Sequence, residues 1–227
     1  IIASGGAVFN ATNCIDAGGN SGWTISAVTS RDLYWVGATG LWSDQSHWSL
    51  SSGGPGGNCI PSAVDNVFID NNSFNPTGYE EITIDLPEVY FNNLTYNASY
   101  PVNWKRFDID DSNAIYVYGS LLFNSKATFS GNWTSAQANF ILQSSGTGNT
   151  ITTNGTKLDI VNVTGTGSYV LADSLDCDII NFESGTFDTG NQNINCTNLN
   201  ITNPAAVIDF GNSTLYCDHM DFMDAGP

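Results

Sequence analysis

The segment that decides the fold is Leu158-Asp159-Ile160-Val161-Asn162-Val163, which returns three times, as Cys177-Asp178-Ile179-Ile180-Asn181-Phe182, Cys196-Thr197-Asn198-Leu199-Asn200-Ile201 and Cys217-Asp218-His219-Met220-Asp221-Phe222. In every copy the first, fourth and sixth positions are apolar or Cys, and the fifth is Asn or Asp. The starting positions of the four copies keep a nearly constant step of about twenty residues. Such a shared register is typical of a solenoid, in which no single repeat can bury its apolar face alone.

The length and composition of the repeat indicate which kind of solenoid to expect. Helical repeats need about 33 residues or more, and leucine-rich repeats need several Leu at fixed positions. Here short β-branched and aromatic runs alternate with Gly, Asn, Ser and Asp, a pattern that favours strands joined by tight turns. We therefore predict an all-β fold, a parallel β-helix with an aromatic-rich N-terminal cap, whose coils stack about 4.8 Å apart.

The same pattern predicts how the chain is divided. Residues 1–25 are expected to be the end of a preceding β-solenoid module with its closing loop, and residues 26–32 a linker. Residues 33–80 are predicted to form a Trp-rich capping hairpin and the first strands. Residues 81–227 are predicted to form coils of about 19–22 residues, truncated at the C-terminus. Because the first and last residues fall inside the pattern, we expect the chain to be a piece of a longer one.

The first coils are harder to align than the last ones. The segment Phe91–Tyr96 matches the six-residue pattern, with apolar side chains at its first, fourth and sixth positions. Between Phe91 and Leu158 there is room for three coils of about 22 residues. We expect insertions of a few residues in the turns of this part.

The charge of the chain excludes two classes of partner. There are 22 acidic residues against five basic ones, which gives a formal net charge of -17. Nucleic acids bind through clusters of Lys and Arg, so we expect no nucleic-acid partner. An anionic membrane surface is disfavoured for the same reason, and no run of about 18 apolar residues predicts insertion into a membrane.

Asparagine is unusually frequent along the whole chain. Asn suits turns because it tolerates left-handed backbone and bonds to its own main chain. In stacked coils, Asn side chains can also bond to one another in ladders. We therefore interpret the excess of Asn as structural.

The five cysteines leave two alternatives open. Cys177, Cys196 and Cys217 share one repeat position, so stacking predicts a structural column with Cα atoms about 4.8 Å apart, inside the disulfide window. Three thiols in a column cannot all pair, so either one bridge forms beside a spare thiol or all three are buried as small hydrophobes. Cys14 and Cys59 lie outside the column and are candidates for a separate disulfide.

Three stretches near the N-terminus carry a resemblance to a known family. Tyr34-Trp35-Val36-Gly37-Ala38-Thr39-Gly40-Leu41-Trp42-Ser43-Asp44 resembles the opening of tandem modules in large secreted surface adhesins of Bacteroidetes, with Ala38 and Leu41 in place of Gly and Asn. The segment from Ile60 to Asp70 is similar to the strand that follows in those modules. The loop from Asn13 to Trp23 resembles their closing loop.

The resemblance implies both a function and a cellular location. It implies a non-catalytic stalk module of the SprB-like gliding-motility adhesin group, exported by type IX secretion and extracellular at the cell surface. The partners it implies are neighbouring modules of the same chain, the secretion machinery during export and surface polysaccharide.

The residues themselves give little support to catalysis. Hydrolases need paired carboxylates and lyases a base beside acidic metal ligands, whereas the five basic residues here are scattered. His47 lies between tryptophans and is predicted to be a hydrogen-bonded structural residue. The alternative function is a carbohydrate-binding, or less favoured carbohydrate-cleaving, β-helix. In that case Trp35, Trp42 and Trp48 are the candidate ligand-binding residues; in a cap, such residues are core.

No cofactor is predicted, and calcium is the one candidate ion. Ca²⁺ takes six to eight oxygen ligands. Its candidate ligands here are acidic residues that flank a strand or form the densest acidic run: Asp65, Asp70, Asp108, Asp110 and Asp111. No EF-hand or glycine-rich calcium repeat occurs. A solvated acidic surface is the alternative interpretation.

Overall fold

A computed structural model describes residues 2, 5, 8–11, 21–25, 29–99, 105–109, 113–125, 127–130 and 137–222. The chain forms two compact units, Ile1–Arg31 and Asp32–Pro227. Almost all regular structure in the described residues is strand, and one turn of 3-10 helix covers Gln45–His47. The chain is therefore an all-β protein.

The strands of the described residues are β1 (Phe9–Ala11), β2 (Trp23–Ile25), β3 (Asp32–Trp35), β4 (Gly40–Leu41), β5 (Trp48–Ser49), β6 (Asn66–Ile69), β7 (Glu80–Thr83), β8 (Glu88–Phe91), β9 (Leu94–Tyr96), β10 (Lys105–Asp108), β11 (Ala114–Val117), β12 (Leu121–Phe123), β13 (Phe129–Ser130), β14 (Asn139–Leu142), β15 (Asn149–Thr152), β16 (Leu158–Val163), β17 (Ser168–Leu171), β18 (Leu175–Phe182), β19 (Thr186–Asp188), β20 (Ile194–Ile201), β21 (Val207–Asp209) and β22 (Leu215–Phe222).

The first unit contains a pair of parallel strands, β1 and β2. Phe9 lies opposite Trp23, and their ring centroids are 5.5 Å apart. An isolated parallel bridge joins Ile2 to Ser21. Parallel pairing is thus present in this unit as well.

The second unit is built from three sheets. Their strand orders are β13-β10-β7-β4, β22-β20-β18-β16-β14-β11-β8 and β21-β19-β17-β15-β12-β9-β6-β3-β5. From β6 to β14 the chain visits the nine-, four- and seven-stranded sheets in turn. From β14 to β22 it alternates between the seven- and nine-stranded sheets. Each time the chain comes back to a sheet, it adds a parallel strand beside the strand that it contributed before. We call the chain segment from one such strand to the next a return.

Pairing in the seven-stranded sheet fixes the length of each return. Glu88 pairs with Ala114, and Ala114 pairs with Asn139, so these two returns are longer than the sequence repeat. The pairing then passes from Asn139 through residues 160, 179 and 198 to His219. These later returns have the step of the sequence repeat, about twenty residues.

The alignment of Phe91–Tyr96 with the repeat is wrong. Phe91 pairs with Val117, which pairs with Leu142 and through it with Val163. Phe91 therefore occupies the sixth position of the pattern, not the first, and the segment crosses from β8 into β9. The segment resembles the six-residue repeat because apolar residues alternate with polar ones in any strand that buries one face.

Alternation of side chains along each strand builds the core. Strands β6, β11, β14 and β17 place every second residue inside. One apolar cluster extends from Leu33 to Leu199. The alternate residues of each strand face outwards, as the period of two requires.

The expected asparagine ladder is confirmed on the outer face of the seven-stranded sheet. The side-chain amide of Asn162 donates to Asn139 Oδ1 over 2.6 Å, that of Asn181 to Asn162 over 2.6 Å, and that of Asn200 to Asn181 over 2.7 Å. Asp221 lies beside Asn200 in the last strand. Each amide thus joins two neighbouring strands.

Turns between the sheets bring backbones very close together. At Gly185 φ is +76°, and a Cβ atom there would lie 2.2 Å from the carbonyl oxygen of Gly165. Only glycine satisfies both the left-handed backbone and this close approach. Glycine at this turn therefore sets how closely the two returns can approach.

Candidate functional site

The three tryptophans predicted as ligand-binding residues lie in the core. Trp35, Trp42 and Trp48 expose 0%, 2% and 0% of their surfaces. The Trp48 ring packs edge-on against Trp35 at 5.2 Å and against Trp42 at 4.7 Å. This burial leaves no ring face for a sugar, which corrects the prediction of a ligand site there.

The tryptophan cluster closes one end of the nine-stranded sheet. Strand β5 pairs antiparallel with β3, so that Trp48 lies opposite Trp35. Trp48 Nε1 donates to the carbonyl of Trp42 over 2.9 Å. The antiparallel strand satisfies backbone groups of β3 that would otherwise form an open sheet edge.

His47 has the structural role that its position between tryptophans predicts. Its ring stacks on Trp35 with centroids 4.6 Å apart, and its Nδ1 lies 2.6 Å from the carbonyl oxygen of Val36. A Cβ atom at Gly40 would lie 2.0 Å from His47 Nε2, so the ring occupies the space that a larger residue there would need. His47 therefore fills space between the strands of the hairpin.

Two of the candidate calcium ligands are hydrogen-bonded within turns. Asp65 is fully buried, and its Oδ2 accepts hydrogen bonds from the Ser62 backbone N–H at 2.9 Å and from the Ser62 hydroxyl at 2.7 Å. Asp70 Oδ1 accepts from the backbone N–H of Asn72 at 2.8 Å. Both carboxylates stabilise the ends of β6.

A protein cation already lies beside the third candidate. Asp108 is buried, and its Oδ1 lies 3.7 Å from Arg106 Nη2, which also contacts Glu81 Oε2 at 3.0 Å. Asp110 and Asp111 lie outside the described residues. Among the residues that are described, no three His, Cys, Asp or Glu side chains are placed to hold a metal ion.

The three repeat cysteines lie on neighbouring strands. Cys196 pairs directly with Cys217, and the flanking pairs Asp176–Asn195 and Ile179–Asn198 place Cys177 beside Cys196. Cys177 and Cys196 are buried, Cys217 is partly exposed, and all three thiols are free. All three pack against the apolar core at successive levels.

Hydrogen bonding along this column shifts the pKa values of the thiols in different directions. Cys177 donates to Cys196, and this bond together with burial raises the pKa of Cys177. Accepting a hydrogen bond from Cys177 lowers the pKa of Cys196 to about 7. The central sulfur is therefore the one whose thiolate is stabilised.

Cys59 is exposed, and within the described residues it is a free thiol. Its predicted partner, Cys14, lies outside the described residues, so that disulfide stays a prediction.

A groove on the outer face of the seven-stranded sheet was not predicted from the sequence. Its volume is about 420 Å³, and we call it the outer groove. Its lining comes from four consecutive strands of the sheet, β11, β14, β16 and β18, and the residues that follow them: Tyr116, Ile141, Gln143, Asn162, Thr164 and Glu183.

Part of the outer groove could have been predicted from the sequence. In Ile115-Tyr116-Val117-Tyr118 the period of two places both tyrosines on the face opposite to the buried Ile and Val. Which side chains lie beside Tyr116 depends on the lengths of the returns that join β11 to β14 and β14 to β16. Those lengths come from turns that the apolar pattern does not specify.

Comparison with protein-family models, with curated proteins and with solved structures finds no match to this chain. The parts of the chain that the structure describes include no helix of the length and apolar character needed to span a bilayer.

Proposed function

We propose that residues 32–227 form a parallel β-helix that acts as a non-catalytic structural stalk module of a large cell-surface adhesin. The observation that carries this proposal is the run of seven parallel strands from β8 to β22, laid down in chain order in one sheet. A chain that adds one strand to each sheet at every return lengthens by one strand spacing per coil, about 4.8 Å. Such growth is the property that a stalk needs.

The contacts between successive coils also suit a load-bearing role. Backbone ladders join neighbours in the seven- and nine-stranded sheets, and Asn139, Asn162, Asn181 and Asn200 add a second line of bonds along the outer face. Each coil contacts its neighbours, so stability rises with every added coil.

The cellular part of the proposal rests on the sequence resemblance. A stalk of the SprB-like adhesin group would be extracellular, exported by type IX secretion, and would mediate attachment or gliding. Its first partners would be neighbouring modules, with residues 1–25 as the end of the preceding one.

The stalk proposal is tested by tandem arrays. Proteins that contain one, two and four copies of the chain are imaged by negative-stain electron microscopy. The expected result is a particle length that grows in proportion to copy number. Clustered particles whose longest dimension does not follow copy number would contradict a stalk.

The cellular proposal needs a separate experiment. Antibodies to the chain are applied to intact cells of its source, with an in-frame deletion strain as the control. Surface labelling and reduced attachment of the deletion strain are expected. Labelling that appears only after permeabilisation would contradict the surface location.

A further inference from the structure

We propose that the outer groove binds a neutral polysaccharide chain. The inference goes beyond the stalk proposal and does not depend on it, because it rests on the side chains of one sheet face. The volume of about 420 Å³ lies within the range of about 300–1,000 Å³ that ligand sites occupy.

One wall of the outer groove includes the partly buried aromatic ring of Tyr116. The rings of Tyr90 and Tyr116 stack with centroids 5.0 Å apart at 21°. Tyr116 pairs with Tyr90 on one side and with Ile141 on the other, and both Tyr116 and Ile141 line the groove. Aromatic faces carry negative charge density and attract the polarised C–H groups of a sugar ring.

The tyrosine wall stays uncharged. Burial and nearby Glu88 raise the pKa of Tyr116, and a hydrogen bond to Glu88 raises the pKa of Tyr90 to about 12. A neutral phenol keeps the Tyr116 ring available as an apolar surface of the groove across the physiological range.

The polar residues that line the outer groove supply hydrogen-bonding groups of the kind that sugar hydroxyls need. The Asn162 amide donates one N–H to Asn139 and accepts one bond from Asn181, which leaves it a second N–H and a second lone pair. The side chains of Gln143 and Glu183 are exposed and, within the described residues, make no hydrogen bond of their own. Donors and acceptors are therefore both present.

The charge of the groove and of the whole chain favours a neutral ligand. Glu183 is the one ionisable carboxylate among the six lining residues, and none of the six is a cation. With a formal net charge of -17, the chain would repel a polyanion such as a uronate polymer. A neutral polysaccharide meets no such repulsion.

The repetition of the surface favours a polymer over a single sugar. One row of outward side chains continues through Tyr116, Ile141, Asn162, Asn181 and Asn200 on adjacent strands. Amides recur at the strand spacing of about 4.8 Å. A chain of pyranose units presents its hydroxyls at a comparable repeat, so several units can make the same contact.

Calorimetric titration of the full chain tests the proposal. The probes are soluble neutral hexasaccharides built from β-1,4-glucose, β-1,3-glucose, β-1,4-mannose, β-1,4-xylose and α-1,4-glucose, with hexagalacturonate as the anionic comparison. At least one neutral probe should bind, and hexagalacturonate should bind at least tenfold more weakly. Tyr116→Ala and Gln143→Ala should each weaken the binding, Tyr116→Ala by about tenfold.

The matched control is Tyr34→Ala on the nine-stranded sheet, where Tyr34 stacks on Phe68 at 4.8 Å, away from the outer groove. It should leave the affinity unchanged.

The proposal is overturned if no neutral probe binds at millimolar concentration, if hexagalacturonate binds as tightly, or if Tyr34→Ala weakens binding as much as Tyr116→Ala. Gln143 is exposed, so Gln143→Ala keeps the test valid should Tyr116→Ala fail to fold. None of these results alters the length of tandem arrays, which separates the two proposals.

Discussion

Two sections of the second unit build the same sheet around different interiors. In the aromatic section, residues 32–130, a return passes through a third sheet and is the longer one, as from Glu88 to Ala114. In the ladder section, residues 137–222, a return passes through two sheets and is shorter, as from Asn162 to Asn181. The seven-stranded sheet nevertheless runs through both sections with every neighbouring pair parallel.

The buried side chains of the two sections differ in size and in charge. Among the described residues, the three buried tryptophans lie in the aromatic section, as do the buried charged side chains, Asp65, Glu80, Lys105 and Asp108. The buried polar side chains of the ladder section carry hydroxyls: Ser144, Thr153, Thr156 and Thr189. The longer returns thus coincide with the bulkiest and the charged buried side chains, which the close packing of the core must accommodate.

The difference between the two sections shows that the pairing of the outer sheet and the side chains that fill the core are determined by different features of the sequence. Strand pairing needs only backbone groups at a constant spacing, whereas the core must be filled by side chains whose sizes fit one another. Four substitutions test this separation, in order of decreasing expected effect.

Replacement of Trp48 should show that damage to the aromatic section stays there. Trp48→Ala removes a fully buried ring and is expected to lower the free energy of unfolding by about 4 kcal/mol. Hydrogen exchange followed by mass spectrometry should speed up in β3, β5 and β6 but not in β18, β20 and β22, because repeats contact only their neighbours. Equal acceleration in both sections would contradict the separation. The exposed Trp23, replaced by Ala, is the control and should change stability by under about 0.5 kcal/mol.

The buried ion pair of the aromatic section should matter next. Lys105 Nζ lies 2.9 Å from Glu80 Oε2, with both side chains almost fully buried. Lys105→Met leaves the buried Glu80 carboxylate without this cation, which should cost about 3 kcal/mol in urea unfolding. Adding Glu80→Leu should recover part of the loss, since neither charge of the pair then remains, although the two hydrogen bonds from Asn75 to Glu80 are also removed. A double variant less stable than Lys105→Met would contradict the assignment of the loss to the unpaired carboxylate. The exposed pair of Lys157 with Asp178 provides the control, and Lys157→Met should cost under about 1 kcal/mol.

A break in the asparagine ladder should have a smaller effect. Asn181→Ala removes the bonds to Asn162 and Asn200, and we expect a loss of about 1–2 kcal/mol in urea unfolding. Asn195→Ala is the matched control, because Asn195 is exposed and its bond to Asp176 is long at 3.4 Å. A ladder that adds no stability would give the same small change in both variants.

The smallest effect concerns the pH dependence of the ladder section. Burial raises the pKa of Asp159 above its unfolded value of 3.8. The folded chain therefore holds this proton more tightly than the unfolded chain, and the stability that Asp159 contributes falls as the pH rises from 3.8 through the folded pKa. Asp159→Asn should gain stability relative to the parent above pH 4 and none below pH 3.

A second variant checks the direction of this linkage. The ammonium of Lys157 lowers the pKa of Asp159, so Lys157→Met should steepen the decline over the same pH range. Urea unfolding at four pH values measures both variants. A shallower decline for Lys157→Met would contradict the assignment to Asp159.

Much of the ladder section could be predicted from the sequence because its signals are local. Leu158, Cys177, Cys196 and Cys217 recur at nearly constant steps, and so does the Asn or Asp at the fifth position of each copy. Side-chain alternation then fixes which residues face inwards. In the aromatic section the turns vary in length, so Phe91 could be aligned with the wrong position of the repeat.

The candidate sites were less predictable than the strands. For Trp35, Trp42 and Trp48 the sequence allowed both ligand binding and core packing, and only their burial decides for the core. Arg106 comes to lie beside Glu81 because β10 pairs with β7, which belongs to the preceding return. Neither outcome can be inferred from the residues that are adjacent in sequence.

The sequence by itself determined the all-β class, the repeat step near twenty residues, the inward side of each late strand and the recurrence of Asn on the outward side. These follow from spacings of two and about twenty residues, which are visible along the chain. Only the tertiary structure decided that a third sheet takes part in the earlier returns, that Lys105 is buried against Glu80, and that Ile141 lies between Tyr116 and Asn162. Such contacts depend on how many residues each turn takes up, and turn length leaves no periodic mark in the sequence.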